Sequence, residues 1–288
     1  MTYSEIVSQV KSEIRFEQDQ NADTLIEQCV NRAYRTLSAQ QIWRELTVHG
    51  ESFTTESAQT DYDAPYVFAN VVPNSMLYDY DSSTATGSPL EVIVNPTIAA
   101  RMGWFGQGNA PFAATVSGVA GTNLYDTGTV AIANESRTVT GTGTAWASSS
   151  HDGQWMRFGY QSSGDLSGGN YGYKIASVDS GTQITLEEGY RGAALTAAKY
   201  AIRPSTTPQI KLSPAFSDYG QTVKYSFTRW PRRLYNGDDT PEVEILSDVL
   251  VSEACALLAQ YSEDVKRYAV YKQRAKEQYR SIIGQLAY

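Results

Sequence analysis

The chain of 288 residues reads as an α+β protein: a helical scaffold built from both ends with associated β-strands, and an inserted antiparallel β-sandwich or barrel module. Three observations carry that reading. Apolar residues recur at helical spacing near the start, strand-sized segments alternate with turn clusters between residues 128 and 203, and the last stretch has the clearest helical period of all. The expected division is 1–127 with 204–288 as the scaffold, and 128–203 as the inserted β-domain.

The first helix is expected over about 3–15, where Ile6, Val7, Val10 and Ile14 make one apolar face. After the polar "EQDQNAD", Asn21 or Asp23 is expected to cap a second helix that runs to about residue 41. Its stripe is Leu25, Ile26, Val30, Ala33, Tyr34 and Leu37. Two such helices on a short connection form an antiparallel pair, yet neither buries enough to stand alone. Past Trp43 the pattern changes. "ESFTTESAQTDYDAP" alternates and ends in turn residues, which predicts a hairpin. "VVPNSMLYDY" and "SPLEVIVNP" read as further strands, and a short helix is expected near 97–103.

Within 128–203 the strand candidates are "GTVAIA", "RTVTGTG", "QWMRFGY", "YGYKIASVD", "TQITLEE" and "AAKYAIR", separated by clusters such as "ASSSHDG" and "GYRGA". Six acidic and six basic residues balance there, so the net charge of −8 resides outside the module. "PQIKLSPAF" and "QTVKYSFTRWP" follow as strands. Thr240 as N-cap, Pro241 as first residue, and Glu242 and Glu244 in the first turn then predict the final helix. Its stripe from Ile245 to Leu286 would make one rod of about 60 Å. "YSEDVKRY" is the place for a break.

Composition narrows the function classes. A net charge of −8 argues against a protein that grips nucleic acid through a basic face. The polar N-terminus resembles no signal peptide, and no apolar run spans a bilayer, so a soluble chain made in a cytoplasm, with no membrane partner, is expected. Cys29 and Cys255 fall in separate helices, which favours two reduced, buried thiols over a bridge joining them. The 20 tyrosines and five tryptophans suit half-buried strands and subunit interfaces alike.

No residue pattern assembles an active site, and neither a cofactor nor a metal is expected. His49 and His151, the only histidines, stand far apart in different expected units and read as loop residues. Asp19, Asn21 and Asp23 imitate a calcium loop, but Thr24 replaces its glycine and Val30 its bidentate glutamate. Asp238 and Asp239 read as helix-start charges. Gly141 and Gly143 fail the dinucleotide fingerprint because Trp146 holds the third glycine position, and they are assigned to turns or strand ends.

Two charge patterns remain. In "KYSFTRWPRRLY", Lys224, Arg229, Arg232 and Arg233 interleave with aromatics, as in proteins that stack on bases; a half-exposed strand ending in a basic loop explains the same pattern more simply. Along the last helix, residues 242–264 carry acids and no bases, while 265–288 carry six bases and one acid, Glu277. The helix dipole accounts for the end turns only. Arg229, Arg232, Arg233, Lys272, Arg274, Lys276 and Arg280 are therefore the candidate contact residues, presented to an acidic neighbour.

"VNRAYRTLSAQQIWRELTVHGESFTTESAQTDYDAP" resembles the opening of bacteriophage head-to-tail connector, or adaptor, proteins: an amphipathic helix, a Trp-containing segment, then strands, with Ala64 at the small apolar position before Pro65. "VKYSFTRWPRRLYNGDDTPEVEILSDVLVSEACALLAQY" is similar to the family's strand, arginine–proline turn, acidic turn and long terminal helix. Residues 128–146 and 175–202 resemble β-repeats of phage virion proteins. The resemblance implies a homo-oligomeric ring, usually of twelve, beneath the portal at the virion neck. Genomic DNA would pass through its lumen without sequence-specific binding. The terminal helix would meet the portal protein, and the β-domain would reach tail or collar proteins. The alternative is a receptor- or glycan-binding tail protein using Trp146, Trp155 or Tyr160 of the module as a sugar platform.

Overall fold

A computed structural model describes residues 1–14, 20–57, 59–93, 107–108, 111, 113–159, 171–204, 206–213, 215–217 and 219–286. The chain is mixed α+β. Among the described residues there are five α-helices, α1 (Tyr3–Ile14), α2 (Gln20–Ser38), α3 (Ser148–His151), α4 (Ser247–Tyr261) and α5 (Val265–Leu286), with mostly antiparallel sheets. It divides into two compact units: Met1–Leu46 with Trp230–Tyr288, and Thr47–Arg229. The strands flanking the module, read from sequence with the helical ends, thus group with it in the second unit.

The helical unit is organised around α4. Its apolar and small residues face inward nearly all round, with Val249, Leu250, Val251, Ala254, Cys255 and Leu258 buried. A helix apolar on every side belongs in the middle of a bundle. Against it lie Ile6 and Val10 of α1 and Ile26, Val30, Ala33 and Tyr34 of α2. The stripes expected at both ends of the chain therefore close on one core. Two boundaries differ from expectation. α2 begins at Gln20, so Asn21 and Asp23 lie within its first turn and do not precede it. α4 begins at Ser247, after a 3-10 turn over Glu244–Leu246, so Thr240 and Pro241 do not start it. Their acidic neighbours order a turn: the Asp239 carboxylate accepts the backbone N–H of Tyr235 at 2.8 Å and of Asn236 at 2.9 Å.

The break expected in "YSEDVKRY" is present at Ser262–Asp264. The N–H of Asp264 bonds the carbonyl of Ala259 and that of Glu263 bonds Gln260, which together form a Schellman ending to α4. Glu263 takes the left-handed position, φ 57°, where glycine is usual. The Asp264 carboxylate then caps α5 by accepting the N–H of Arg267 at 3.0 Å.

In the second unit, β1 (Thr47–Thr54), β18 (Thr222–Arg229), β4 (Leu77–Asp81) and β5 (Thr86–Pro89) form one sheet, with β3 (Phe68–Val71) also on β18. β2 (Asp61–Asp63), β16 (Pro208–Ser213), β8 (Ala113–Val119) and β6 (Glu91–Ile93) form another, and β7 (Gln107–Gly108) pairs β17 (Ala215–Phe216). The hairpin expected over 51–65 does not form. β1 pairs with β18 and β2 with β16, so alternation marked strands whose partners lie far along the chain. The helix expected near 97–103 lies outside the described residues.

The six segments expected within 128–203 become β9 (Thr129–Ile132), β10 (Thr138–Thr142), β11 (Trp155–Phe158), β12 (Tyr173–Ser180), β13 (Gln183–Leu186), and, from the last, β14 (Leu195–Ala198) and β15 (Tyr200–Ile202). They make one seven-stranded sheet ordered β14-β9-β10-β13-β12-β11-β15. Its two ends come from adjacent segments, β14 pairing β9 and β15 pairing β11, so the sheet curls back on itself. Inside lie Val130, Val139, Trp146, Met156, Ile175, Ile184, Leu186 and Tyr200.

Candidate functional site

The expected contact residues fall into two groups with different standing. The first is the turn at 229–235. Arg229 closes β18 in the β unit. Arg232 and Arg233 belong to the helical unit, in a turn tied down from several sides. Asn31 of α2 donates to the Leu234 carbonyl at 2.9 Å and accepts its N–H at 2.8 Å. The Tyr34 hydroxyl accepts the N–H of Val243. Arg35 stacks 4.2 Å over the Trp230 ring, and Arg233 lies 5.6 Å over Tyr235. The N–H of Arg232 bonds Glu242, whose carboxylate also faces the Arg232 guanidinium at 3.7 Å. Lys224, on β18, donates to the Tyr80 hydroxyl at 2.9 Å. The interleaved cations and aromatics are engaged within the chain, as a strand and structured turn require.

The second group lies on α5. Lys272 pairs with Glu253 of α4, whose side chain is only 5% exposed. Arg274 makes two bonds to the Glu13 carboxylate of α1, at 2.9 and 3.1 Å. Both tie α5 to its neighbouring helices, with the Lys272 side chain 47% and that of Arg274 46% exposed. Lys276 and Arg280 are exposed, and neither is held by an ion pair or hydrogen bond among the described residues. They share the outward side of α5 with Lys266 and Val270, which the sequence reading left out. Positions 266, 270, 273, 277 and 280 repeat at helical spacing opposite the apolar stripe, and that signal could have found them.

The remaining candidates resolve individually. His49 lies on β1, its Nδ1 3.2 Å from the Ser226 hydroxyl. His151 lies buried in α3, edge-on to Tyr125, with Nδ1 on the Ala147 backbone. Neither is a loop residue. Gly141 is the penultimate residue of β10, where a Cβ would stand 2.7 Å from the Trp146 ring, and Gly143 lies just past the strand in the left-handed region. Trp146 is buried and donates to the Tyr200 hydroxyl at 2.9 Å. Trp155 packs against the core formed by Tyr62, Phe68 and Tyr225. Trp146 therefore presents no open face to a sugar ring, and Trp155 is partly covered. Tyr160 and Asp19 lie outside the described residues. Cys29 and Cys255 are free and buried; burial pushes the first thiol up to about 11, and burial with the nearby Glu13 charge pushes the second up to about 12.

Among the described residues no cluster of three or more His, Cys, Asp or Glu could hold a metal ion, and no helix is long and apolar enough to cross a membrane. Neither the models of known protein families nor the curated proteins compared with this chain match it.

Proposed function

We propose that this chain is a non-enzymatic structural protein of a phage virion: a head-to-tail adaptor that forms a ring, of twelve copies by resemblance, beneath the portal at the neck. The observation that carries the reading is chain order. The first 46 residues and those from Trp230 onward, where much of the resemblance lies, fold into one helical unit with the β-rich residues between them. In this reading the helical ends form the adaptor body, and residues 128–203 are an inserted module that reaches tail or collar proteins.

The charge is suited to a conduit. Each lysine or arginine placed on a phosphate adds salt-dependent affinity that would slow moving DNA. A chain of net charge −8, in which Arg203, Arg232 and Arg274 each face a carboxylate of the same chain, adds little. The portal-facing surface is assigned to the outer side of α5, through Lys266, Lys276 and Arg280, with Arg229, Arg232 and Arg233 at a subunit contact. Lys272 and Arg274, which pair with Glu253 and Glu13, are left out of it.

Light scattering on a size-exclusion column, with negative-stain imaging with and without portal protein, tests this. The expected result is a ring, alone or templated by portal, that fails to dock when Lys266, Lys276 and Arg280 are changed to Glu. A folded chain that ignores portal and instead binds glycans would overturn it in favour of the tail-protein reading.

A further inference from the structure

The apolar stripe of α4 does not stop where the helix stops. Leu250, Ala254, Leu257, Tyr261, Val265, Tyr268, Ala275, Tyr279 and Ile282 keep a spacing of three, four or seven residues across Ser262–Asp264. In one uninterrupted helix they would share a single face. As folded, the stripe is cut, and the two residues flanking the cut are on the surface: Tyr261 is 55% and Val265 75% exposed. The cut itself is delicately balanced. A glutamate occupies a left-handed position that disfavours any residue with a Cβ, and an aspartate cap offsets that cost.

The seat of α5 combines a thin apolar contact with polar ties. Ala275 is its one fully buried described side chain, with Tyr271, Tyr279, Ile282 and Ile283 partly covered. The Tyr279 hydroxyl and the Gln278 side-chain oxygen are buried with no hydrogen-bond partner among the described residues. Specific contacts hold the helix in place. Arg267 donates to the Ile14 carbonyl, Tyr271 to the Glu13 carbonyl and Arg274 to the Glu13 carboxylate, while Lys272 meets Glu253. The carbonyls are the unfilled acceptors at the end of α1, so the seat is left incomplete if α5 departs.

We propose that α5 is exchanged between copies of this chain: Ser262–Asp264 straightens, α4 and α5 become one continuous helix, and α5 fills the same seat on a second copy. Every contact of the seat is remade identically, so only the hinge changes. A three-residue hinge leaves α5 two options, folding back or running on, and short hinges under strain favour exchange. In the extended form Tyr261 and Val265 rejoin the apolar face. The inference stands on the helical unit alone. Without exchange, an adaptor ring could still form through other surfaces, and the portal assay reads that separately.

The test uses two full-length chains with different tags, one Glu13→Cys and one Arg274→Cys, co-expressed, purified through both tags and then oxidised. These side chains touch at 2.9 Å in the folded unit, so a disulfide joins the two tagged chains only when α5 of one lies in the seat of the other. Mixed disulfide well above the level of either chain oxidised alone is expected. Glu263→Gly, which relaxes the left-handed hinge and weakens a continuous helix, should lower it roughly fivefold, whereas Glu263→Ala should raise it. The same two hinge changes in otherwise unaltered protein should move the dimer fraction, read by light scattering, in opposite directions. A mixed disulfide no stronger than the single-variant level, or a dimer fraction indifferent to residue 263, would overturn exchange.

Discussion

Changing Lys272 to Met tests whether that cation is a strut or a docking group. Its partner Glu253 is 5% exposed at the side chain, while Lys272 itself is 47% exposed. Pairs in open solvent contribute about 0–1 kcal/mol. Stranding one member of a fully buried pair costs about 3–5 kcal/mol. A buried carboxylate facing a half-open lysine lies between, so the loss should be about 2 kcal/mol. Changing Glu253 to Leu as well removes the stranded charge, and the double variant should return to within about 1 kcal/mol of the parent. The assay is urea unfolding followed by far-UV ellipticity, which reports chiefly on the helical unit, beside near-UV signals of the aromatic-rich β unit, since two units need not unfold as one. A loss below about 0.5 kcal/mol for the single variant, with additive effects in the double, would refute the strut and return Lys272 to the docking surface.

Asp264→Ala removes the α5 cap and should cost about 1 kcal/mol in the same urea titration. Gly141→Ala drives a Cβ to 2.7 Å from the Trp146 ring and should cost about 1–3 kcal/mol, with a shift in tryptophan emission reporting the displaced ring. Cys29 and Cys255 should resist a thiol reagent at pH 8 until urea is added. Because both thiols ionise later when folded than their ordinary value of 9.0, stability is complete below about pH 9 and should fall as pH rises toward 11–12, where the unfolded chain ionises first; flat stability across that window would count against the burial.

What could be read in advance depended on whether its cause was local. The strands of 128–202 were legible because alternation and turn clusters both act over a few residues. The pairing of β1 was not, since its partner β18 lies far along the chain, and alternation says only that a strand exists. Thr240–Pro241 carries a helix-start signature, yet Asp239 uses the local acidity to close a turn, and the helix begins at Ser247. The cut between α4 and α5 lacks its customary glycine; Glu263 takes the glycine position, so the segment could be suspected but the residue not named. Among the contact residues, charge order singled out Lys276 and Arg280, which are exposed, together with Lys272 and Arg274, which pair within the helical unit. It was blind to Glu13, on another helix near the start of the chain, which claims Arg274.

The division of the chain also sets an order of events during synthesis. α1 and α2 emerge well before α4, with Ile6, Val10, Ile26 and Val30 bared, and their core partners on α4 lie beyond the whole of Thr47–Arg229. At roughly 5–20 residues per second, the ribosome needs about 10–40 s to cross that stretch. The β unit can therefore finish while the first two helices still wait, and those helices are the part of the nascent chain most in need of a chaperone.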